Sequence, residues 1–553
     1  MKIAIYHGYE LAGSGSNEYT RYLAKSLVDL GHGVHLICRE PAPERLPFIS
    51  AAYEWNAEGR KKTLFIRKSG QRGAILHRLP HGKVRPVYLT DKQREGKVKC
   101  FNALSDEELL DYHQLSVRTL QAILFEVRPD ILHANHLVYQ PVAALDACNA
   151  TGTPLVIYPH GSAIEYVVKK DPRYKKLALK ALLGCEGIIS GNREVRDRIF
   201  DIFPPNREKI SRKTRIVGVG VDTALFRPVS RIRRQENIGK LLKTGGGGGK
   251  PPALTHELYR RLEAGELEAA RDYRERYNHG LPDADFNEHL ERIPWNEKIL
   301  LFVGALTSGK GLQSLIAALP AILARHPDVH LVIVGSGAYR EVLEGLYHAL
   351  VTSNETLLRE LCGKGMDLDR NELTGPWEDI LYYLNRPANR IRTLQNGKRV
   401  ENHIHFLGRL DHSRLKYLFP CADLAVFPSI VPEAYPLVLM ESLANGVLPV
   451  VSYFSGFKDG VDELEPFLGA ELTAKTKLSV NPAGRIDSIV ANLTQLLDEP
   501  DLSVYSPKLR RIAVENYDWK IRAAQMISAY EEILDSQSNK KAPACNMKPC
   551  LQK

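Results

Sequence analysis

Two carboxylates at a fixed spacing are the first groups in this chain that could do chemistry. Glu433 and Glu441 stand eight residues apart in FPSIVPEAYPLVLMESLANGVLPVV. Glu433 follows a short apolar run, Asp423 to Ser429, that reads as a strand. Glu441 lies in a segment that reads as a helix opening near Pro436. Proline suits a first helical turn, where its missing N–H would have no partner anyway. One acid is therefore expected on a strand-to-helix loop and the other about two turns down the helix. The free amides of Leu437 and Val438 would point toward the same crevice and bind an anion. Amide donors flanked by two carboxylates suit a ligand that is part phosphate and part polyhydroxyl, such as a nucleotide sugar.

Other polar residues stand at the ends of strand-like runs. His160 closes LVIYPH just before Gly161, and a histidine at a strand's carboxyl end points into the crevice of an open α/β sheet. His133 and His136 close ILHANH. With no third ligand at suitable spacing, that H-x-x-H is not read as a metal site, and no metal is expected. Gly13 and Gly15 lie between a strand end and an amphipathic helix, where glycine lets the backbone approach a ligand closely. Gly304 and Lys310 lie in LFVGALTSGKGLQSLIAAL, another strand-loop-helix unit.

The elements that must hold these residues repeat one pattern twice. KIAIYH, GVHLICR, AILHRLP, DILHAN, PLVIYPH, GIISGN and RIVGVGV read as strands in the first half, with helices between several of them. KILLFVGAL, VHLVIVGSG, IHFLGRL, DLAVFPS and VLPVVSY do so in the second. Such alternation predicts parallel sheets covered by helices on both faces. The fold class is therefore α/β, with two Rossmann-like domains facing each other across a cleft and two insertions in the C-terminal half. The expected boundaries are 1–228 for the first domain, joined by a helix at about 516–535. A Gly-rich and charged linker follows at 229–295, where GGGGGKPP reads as a flexible break and 254–277 as one helix. The second domain takes 296–515 with an insertion at about 339–400, and 536–553 is a disordered tail.

Composition narrows the class further. The 553 residues, 44% hydrophobic and 25% charged, suit a globular protein of two domains, and no apolar run is long enough to span a bilayer. The eight cysteines form no C-x-x-C pair, which supports neither zinc nor a disulfide framework and fits a reducing, cytoplasmic setting. Between Arg60 and Lys99 there are thirteen Lys or Arg against two acids, more than the +10 excess of the whole chain. Such a segment can face an anionic lipid surface or an acidic acceptor, and no nucleic-acid motif accompanies it.

Taken in order, these segments resemble glycosyltransferase family 4, the retaining, nucleotide-sugar-dependent enzymes of the GT-B fold. Glu433 and Glu441 match the family's E-x7-E signature. The resemblance implies that Glu433, Lys310 and His160 are catalytic: Glu433 on the donor sugar, Lys310 on the diphosphate, His160 on the transferred sugar. It implies donor binding by Gly15, Gly304, Leu437, Val438 and Glu441, with Glu441 on the ribose. Gly13 and His133 would line the acceptor-side loop. HIHFLGRLDHSRL matches the segment that holds the nucleobase, and VGVGVDTALFRP the hinge. One departure stands out: the family usually has Gly-Arg-Leu where this chain has Gly304-Ala305-Leu306, so one phosphate-binding cation is missing. The resemblance implies no cofactor beyond the nucleotide-sugar co-substrate, an acceptor that is a glycan, a lipid-linked sugar or a small molecule, and a role in polysaccharide biosynthesis. The Arg60–Lys99 segment adds a peripheral contact with the inner face of a membrane. Two other readings remain open: another GT-B enzyme, an epimerase or phosphorylase, or a non-catalytic nucleotide-binding relative.

Overall fold

The computed structural model describes all residues except 69–71, 89–97, 274, 370–372 and 542–553, and all side chains of the described residues except those of Ser162 and 537–541. The chain divides into two compact units, one of Met1–Gly220 with Trp519 onward, the other Val221–Asp518.

In the first unit the apolar runs form β1 (Lys2–Tyr6), β2 (Gly33–Cys38), β3 (Ile49–Trp55), β4 (Lys61–Ile66), β5 (Ala74–Arg78), β6 (Arg85–Val87), β7 (Val98–Cys100), β8 (Ile131–Asn135), β9 (Leu155–Tyr158), β10 (Gly187–Ser190) and β11 (Thr214–Ile216). Nine of them make one sheet in the order β11-β10-β9-β8-β1-β2-β5-β3-β4, with β6 and β7 paired separately. Its neighbours run parallel except β3 and β4. The central strands are apolar on both faces because helices cover both. From β1 the chain first runs out through β2 and then returns to build β8 on the other side. In doubly wound sheets ligands bind where the order reverses, here between β1 and β8.

The second unit has β12 (Lys298–Val303), β13 (Val329–Val334), β14 (Ile404–Phe406), β15 (Leu424–Phe427), β16 (Leu448–Ser452) and β17 (Lys477–Leu478). Their order is β14-β13-β12-β15-β16-β17, and every pair is parallel. That is the doubly wound nucleotide-binding order, and its reversal point lies between β12 and β15.

Several sequence expectations need correction. Residues 229–295 are not a flexible linker. Ile238, Leu241, Leu258, Phe286 and Trp295 belong to the core of the second unit. The glycine run is packed: the amides of Gly248 and Gly249 donate to the Pro282 carbonyl at 3.1 and 2.7 Å. A Cβ on Gly247 would lie 1.4 Å from the Asp283 carbonyl oxygen, so only glycine fits that approach. The next residue but two, Lys250, is buried between Glu341 and Glu344. A buried charge with two partners anchors the segment, because leaving it unpaired would cost several kcal/mol. Residues 254–277 are not one helix either: Pro252–Glu263 ends at Gly265, whose φ of 81° breaks it. The last helix runs Trp519–Lys541, so 536–541 is helical rather than tail, and 542–553 lies outside the described residues. The β3–β4 hairpin was not expected at all. The first unit ends at Gly220, before the Pro228 boundary read from sequence.

The basic Arg60–Lys99 segment is spread over β4 to β7, and part of it lies outside the described residues. Lys61, Arg78, Lys83, Arg85 and Lys99 pair with Glu126, Glu54, Asp111, Glu10 and Glu108. Among the described residues, no helix is long and apolar enough to cross a membrane.

Candidate functional site

The loops after β12 and β15 meet at the reversal point of the second unit. After β12 the chain makes a tight turn, Ser308–Lys310, before the buried helix Leu312–Leu323. Gly311 joins turn to helix with φ of 69°, and a Cβ there would sit 1.9 Å from the Pro428 carbonyl oxygen. Glycine is thus required twice over, by conformation and by the approach of the β15 loop. That loop holds the turn: the Gly309 carbonyl accepts from the Ile430 amide at 2.8 Å and from the Ser429 hydroxyl at 3.1 Å.

The stitching brings two predicted residues together across 123 positions of sequence: the Lys310 ammonium donates to Glu433 Oε1 at 2.5 Å. Ser429 Oγ lies 2.9 Å from the same oxygen. The Glu433 side chain keeps 17% of its exposure. It is oriented and charge-paired, not a freely solvated surface acid. Beyond it the helix Leu437–Ala444 starts at Pro436 with no side-chain cap. The first four amides of a helix have no intrahelical partner. Leu439 turns back to the Pro436 carbonyl at 3.1 Å. The amides of Leu437 and Val438 remain as donors at the positive end of the helix dipole.

Glu441 is the fifth residue of this helix, just over one turn in rather than two. It is buried, and its Oε1 lies 3.1 Å from His412 Nε2. His412 opens the helix after β14, capped by Asp411, and rests edge-on against Phe226. Sequence reading gave His412 no role, because nothing local links it to an acid 29 residues later. Gly304 serves the sheet edge: its amide donates to the Val334 carbonyl at 3.0 Å, and Gly335 packs against its carbonyl. Ala305 beside it is exposed.

In the first unit a second polar group gathers at the β1/β8 reversal. His160 Nε2 meets Asn135 Oδ1 at 2.8 Å, and Asn135 Nδ2 donates to Thr20 Oγ1 at 3.2 Å. Thr20 Oγ1 lies 3.2 Å from His7 Nδ1, His7 Nε2 2.8 Å from Asn17 Oδ1, and Asn17 Nδ2 donates to the Ala12 carbonyl at 2.6 Å. Asn135 donates through its amide, so its oxygen must accept. His160 therefore carries its proton on Nε2 and presents Nδ1 as a lone pair. Burial, then His7 and His133, hold His160 well below the ordinary histidine range. Burial brings His7 down to about 4.

His133 does not line an acceptor-side loop. It lies within β8, fully buried, with Nδ1 2.7 Å from the Tyr530 hydroxyl, and burial lowers it to about 4. Strand alternation turns it into the core, onto the C-terminal helix. His136 at the strand end is the exceptional imidazole. It sits at φ 72°, ringed by His7, Tyr9, Tyr88 and His160, with neither ring nitrogen bonded among the described residues. Gly13 is left-handed at φ 97°, a backbone conformation that favours glycine. Gly15 is the first residue of its helix, and a Cβ there would meet nothing, so packing does not demand glycine.

Two doubly wound parallel α/β units, each with polar residues at its reversal point, define the GT-B class of glycosyltransferase folds. The sequence matches Glycosyltransferase Family 4 over residues 90–225 and Glycosyl transferases group 1 over 284–358 and 388–517. The chain belongs to family 4 of the glycosyltransferases. An uncharacterized glycosyltransferase of Methanocaldococcus jannaschii is 27% identical over 237 residues, 43% of this chain and 45% of that protein. A phosphatidyl-myo-inositol mannosyltransferase of Mycolicibacterium smegmatis is 25% identical over 245 residues, 44% of this chain and 47% of that protein. The chain thus spans about half the length of the curated relatives it matches. Among solved structures, sucrose-phosphate synthase of Thermosynechococcus elongatus has a TM-score of 0.55 at 17% identity, covering 97% of this chain and 100% of that one. Anabaena HepE in complex with UDP-glucose has a TM-score of 0.52 at 13% identity, covering 98% and 100%. The family match leaves 359–387 unmatched, a narrower insertion than 339–400.

Proposed function

We propose that the protein is a retaining glycosyltransferase that moves a sugar from a nucleotide sugar to a glycan, lipid-linked or small-molecule acceptor. The observation that carries this reading is the Lys310–Glu433 contact beside an uncapped helix start, at the reversal point of a nucleotide-binding sheet. Lys310 and the amides of Leu437 and Val438 take the diphosphate, whose charge grows as the bond to the sugar breaks. Glu433 holds donor-sugar hydroxyls and steadies positive charge near the anomeric carbon. Glu441, steered by His412, takes the ribose. His160 accepts a sugar hydroxyl through Nδ1. Gly304 opens the donor loop after β12, and Gly15 opens the helix that follows Gly13. The reading needs no metal or cofactor, since ammonium and helix dipole supply the positive charge.

The first unit takes the acceptor at its β1/β8 end, with Gly13 in the loop and His136 in place of His133. An imidazole buried without a partner is costly, and a polar ligand group would satisfy it. Ile66, 61% exposed on the edge strand among Lys62 and Arg67, supports a peripheral membrane contact on the cytoplasmic side. Binding to vesicles that ignores anionic lipid would remove that part. Roles in polysaccharide biosynthesis follow only if the acceptor is a glycan.

The test is a thermal-shift panel of UDP-, GDP- and ADP-sugars, followed by donor hydrolysis without acceptor. UDP-glucose belongs in it because HepE is seen with that ligand, and ADP because Arabidopsis starch synthase IV is seen with ADP. A bound donor at a hundred times its Kd raises stability by about 2.7 kcal/mol. One observation favours a second reading, a nucleotide-binding relative without catalysis: Ala305 stands where the family carries arginine. Binding without any hydrolysis would select it.

A further inference from the structure

The stretch 359–387, which the family match skips, reaches the diphosphate loop. Within it Asp369 is 4% exposed, and its Oδ2 accepts from the Ser308 amide at 2.8 Å. Ser308 opens the turn that ends at Lys310. Its hydroxyl, and the second oxygen of Asp369, have no partner among the described residues. Leu373 of the same stretch flanks Gly309, where a Cβ would come 3.4 Å from Leu373 Cδ1 and 2.9 Å from Val431 Cγ1. The turn is therefore gripped from two sides, by the β15 loop that carries Glu433 and by the inserted stretch. The stretch is tied down in turn: Asp379 accepts from Ser314 Oγ at 2.5 Å, and Trp377 donates to the Tyr339 hydroxyl at 2.7 Å.

A buried carboxylate with one unpaired oxygen is a poor stabiliser, because desolvation costs more than a single amide bond returns. Its location explains it better than stability does. We propose that Asp369 is a positioning residue for Lys310: by holding the Ser308 amide it fixes the turn that aims the ammonium at a diphosphate. Asp369 and Leu373 of the insertion are thereby part of the donor site. The Ser308 amide is committed to Asp369, so phosphate contact falls to Lys310 and the helix amides. This rests on the glycosyltransferase reading of the same site.

The experiment compares Asp369→Asn, which keeps an acceptor oxygen, with Asp369→Leu, which keeps the volume and removes it. Titration calorimetry measures Kd for whichever of UDP, GDP and ADP stabilises the unaltered protein, and for its monophosphate. The expected result is a diphosphate preference reduced about tenfold in Asp369→Leu and kept within about twofold in Asp369→Asn. Loss of fold would weaken both nucleotides equally and leave their ratio unchanged. If Asp369→Leu does not fold, Ser308→Pro removes the donor from the other side. A preference within twofold of the unaltered protein in a variant that lacks the acceptor or the donor and keeps the melting curve of the unaltered protein, while Lys310→Met lowers it, overturns the role of Asp369 alone. No binding of any diphosphate by the unaltered protein overturns the glycosyltransferase reading and this inference with it.

Discussion

Removing the Lys310 ammonium probes the reasoning most directly. Lys310→Met keeps the apolar stem and deletes the charge. A unit charge about 4 Å from a phosphate oxygen, at an effective dielectric near 20, is worth about 4 kcal/mol. Glu433 lies 2.5 Å from the same ammonium, so it shares that charge. Roughly half remains for the leaving diphosphate, about 2 kcal/mol, or about 30-fold in rate. The assay is release of nucleoside diphosphate from the donor that wins the thermal-shift panel, without acceptor, beside a melting curve. The affinity for intact donor should fall less than the rate, because the charge on the leaving group develops in the transition state. Glu433→Gln should reduce the rate as well, since it weakens the hold on Lys310 and removes the carboxylate proposed to act near the anomeric carbon. A loss below tenfold in Lys310→Met, with the melting curve unchanged, would refute the proposed role.

Acidification should destabilise the first unit. His7 and His133 are neutral when folded, at about 4 against an ordinary 6.5, so the unfolded chain binds more protons between those values. Their stabilisation is complete above pH 6.5 and falls by about 2 kcal/mol each at pH 5; a melting temperature flat from pH 7 to 5 would contradict it. Gly311→Ala should cost about 3 kcal/mol or more in denaturant unfolding, because the left-handed backbone and the Pro428 carbonyl both resist a Cβ. Asn135→Ala should release the His160 tautomer: nitrogen-detected NMR near pH 7.5 should show one Nε2-protonated form in the unaltered protein and a mixture in the variant. An identical imidazole spectrum would count against the Asn135 bond.

Local sequence determined a good deal of this protein. Apolar runs such as KILLFV and VHLVIV are buried on both faces of parallel strands, and only a parallel α/β sheet buries such runs completely. Pro436 marked the helix start, with Glu433 on the loop before it and Glu441 on the helix, one turn nearer its start than the spacing suggested. Less legible were segments whose partners are remote. The five glycines suggested flexibility because glycine frees an isolated backbone; here the same freedom permits close packing on Pro282 and Asp283. His133 and His136 look equivalent in sequence and both are buried, yet His133 lies within β8 against Tyr530 while His136, just past the strand, has neither ring nitrogen bonded among the described residues.

Tertiary structure alone decided the pairings: Lys310 with Glu433, Glu441 with His412, Asn135 with His160, and Asp369 with Ser308. Each joins residues 25 or more positions apart. Periodicity and capping act over a few residues, so they specify elements. The strand order brings distant loops to the same end of a sheet, and no local pattern encodes which of those loops will touch.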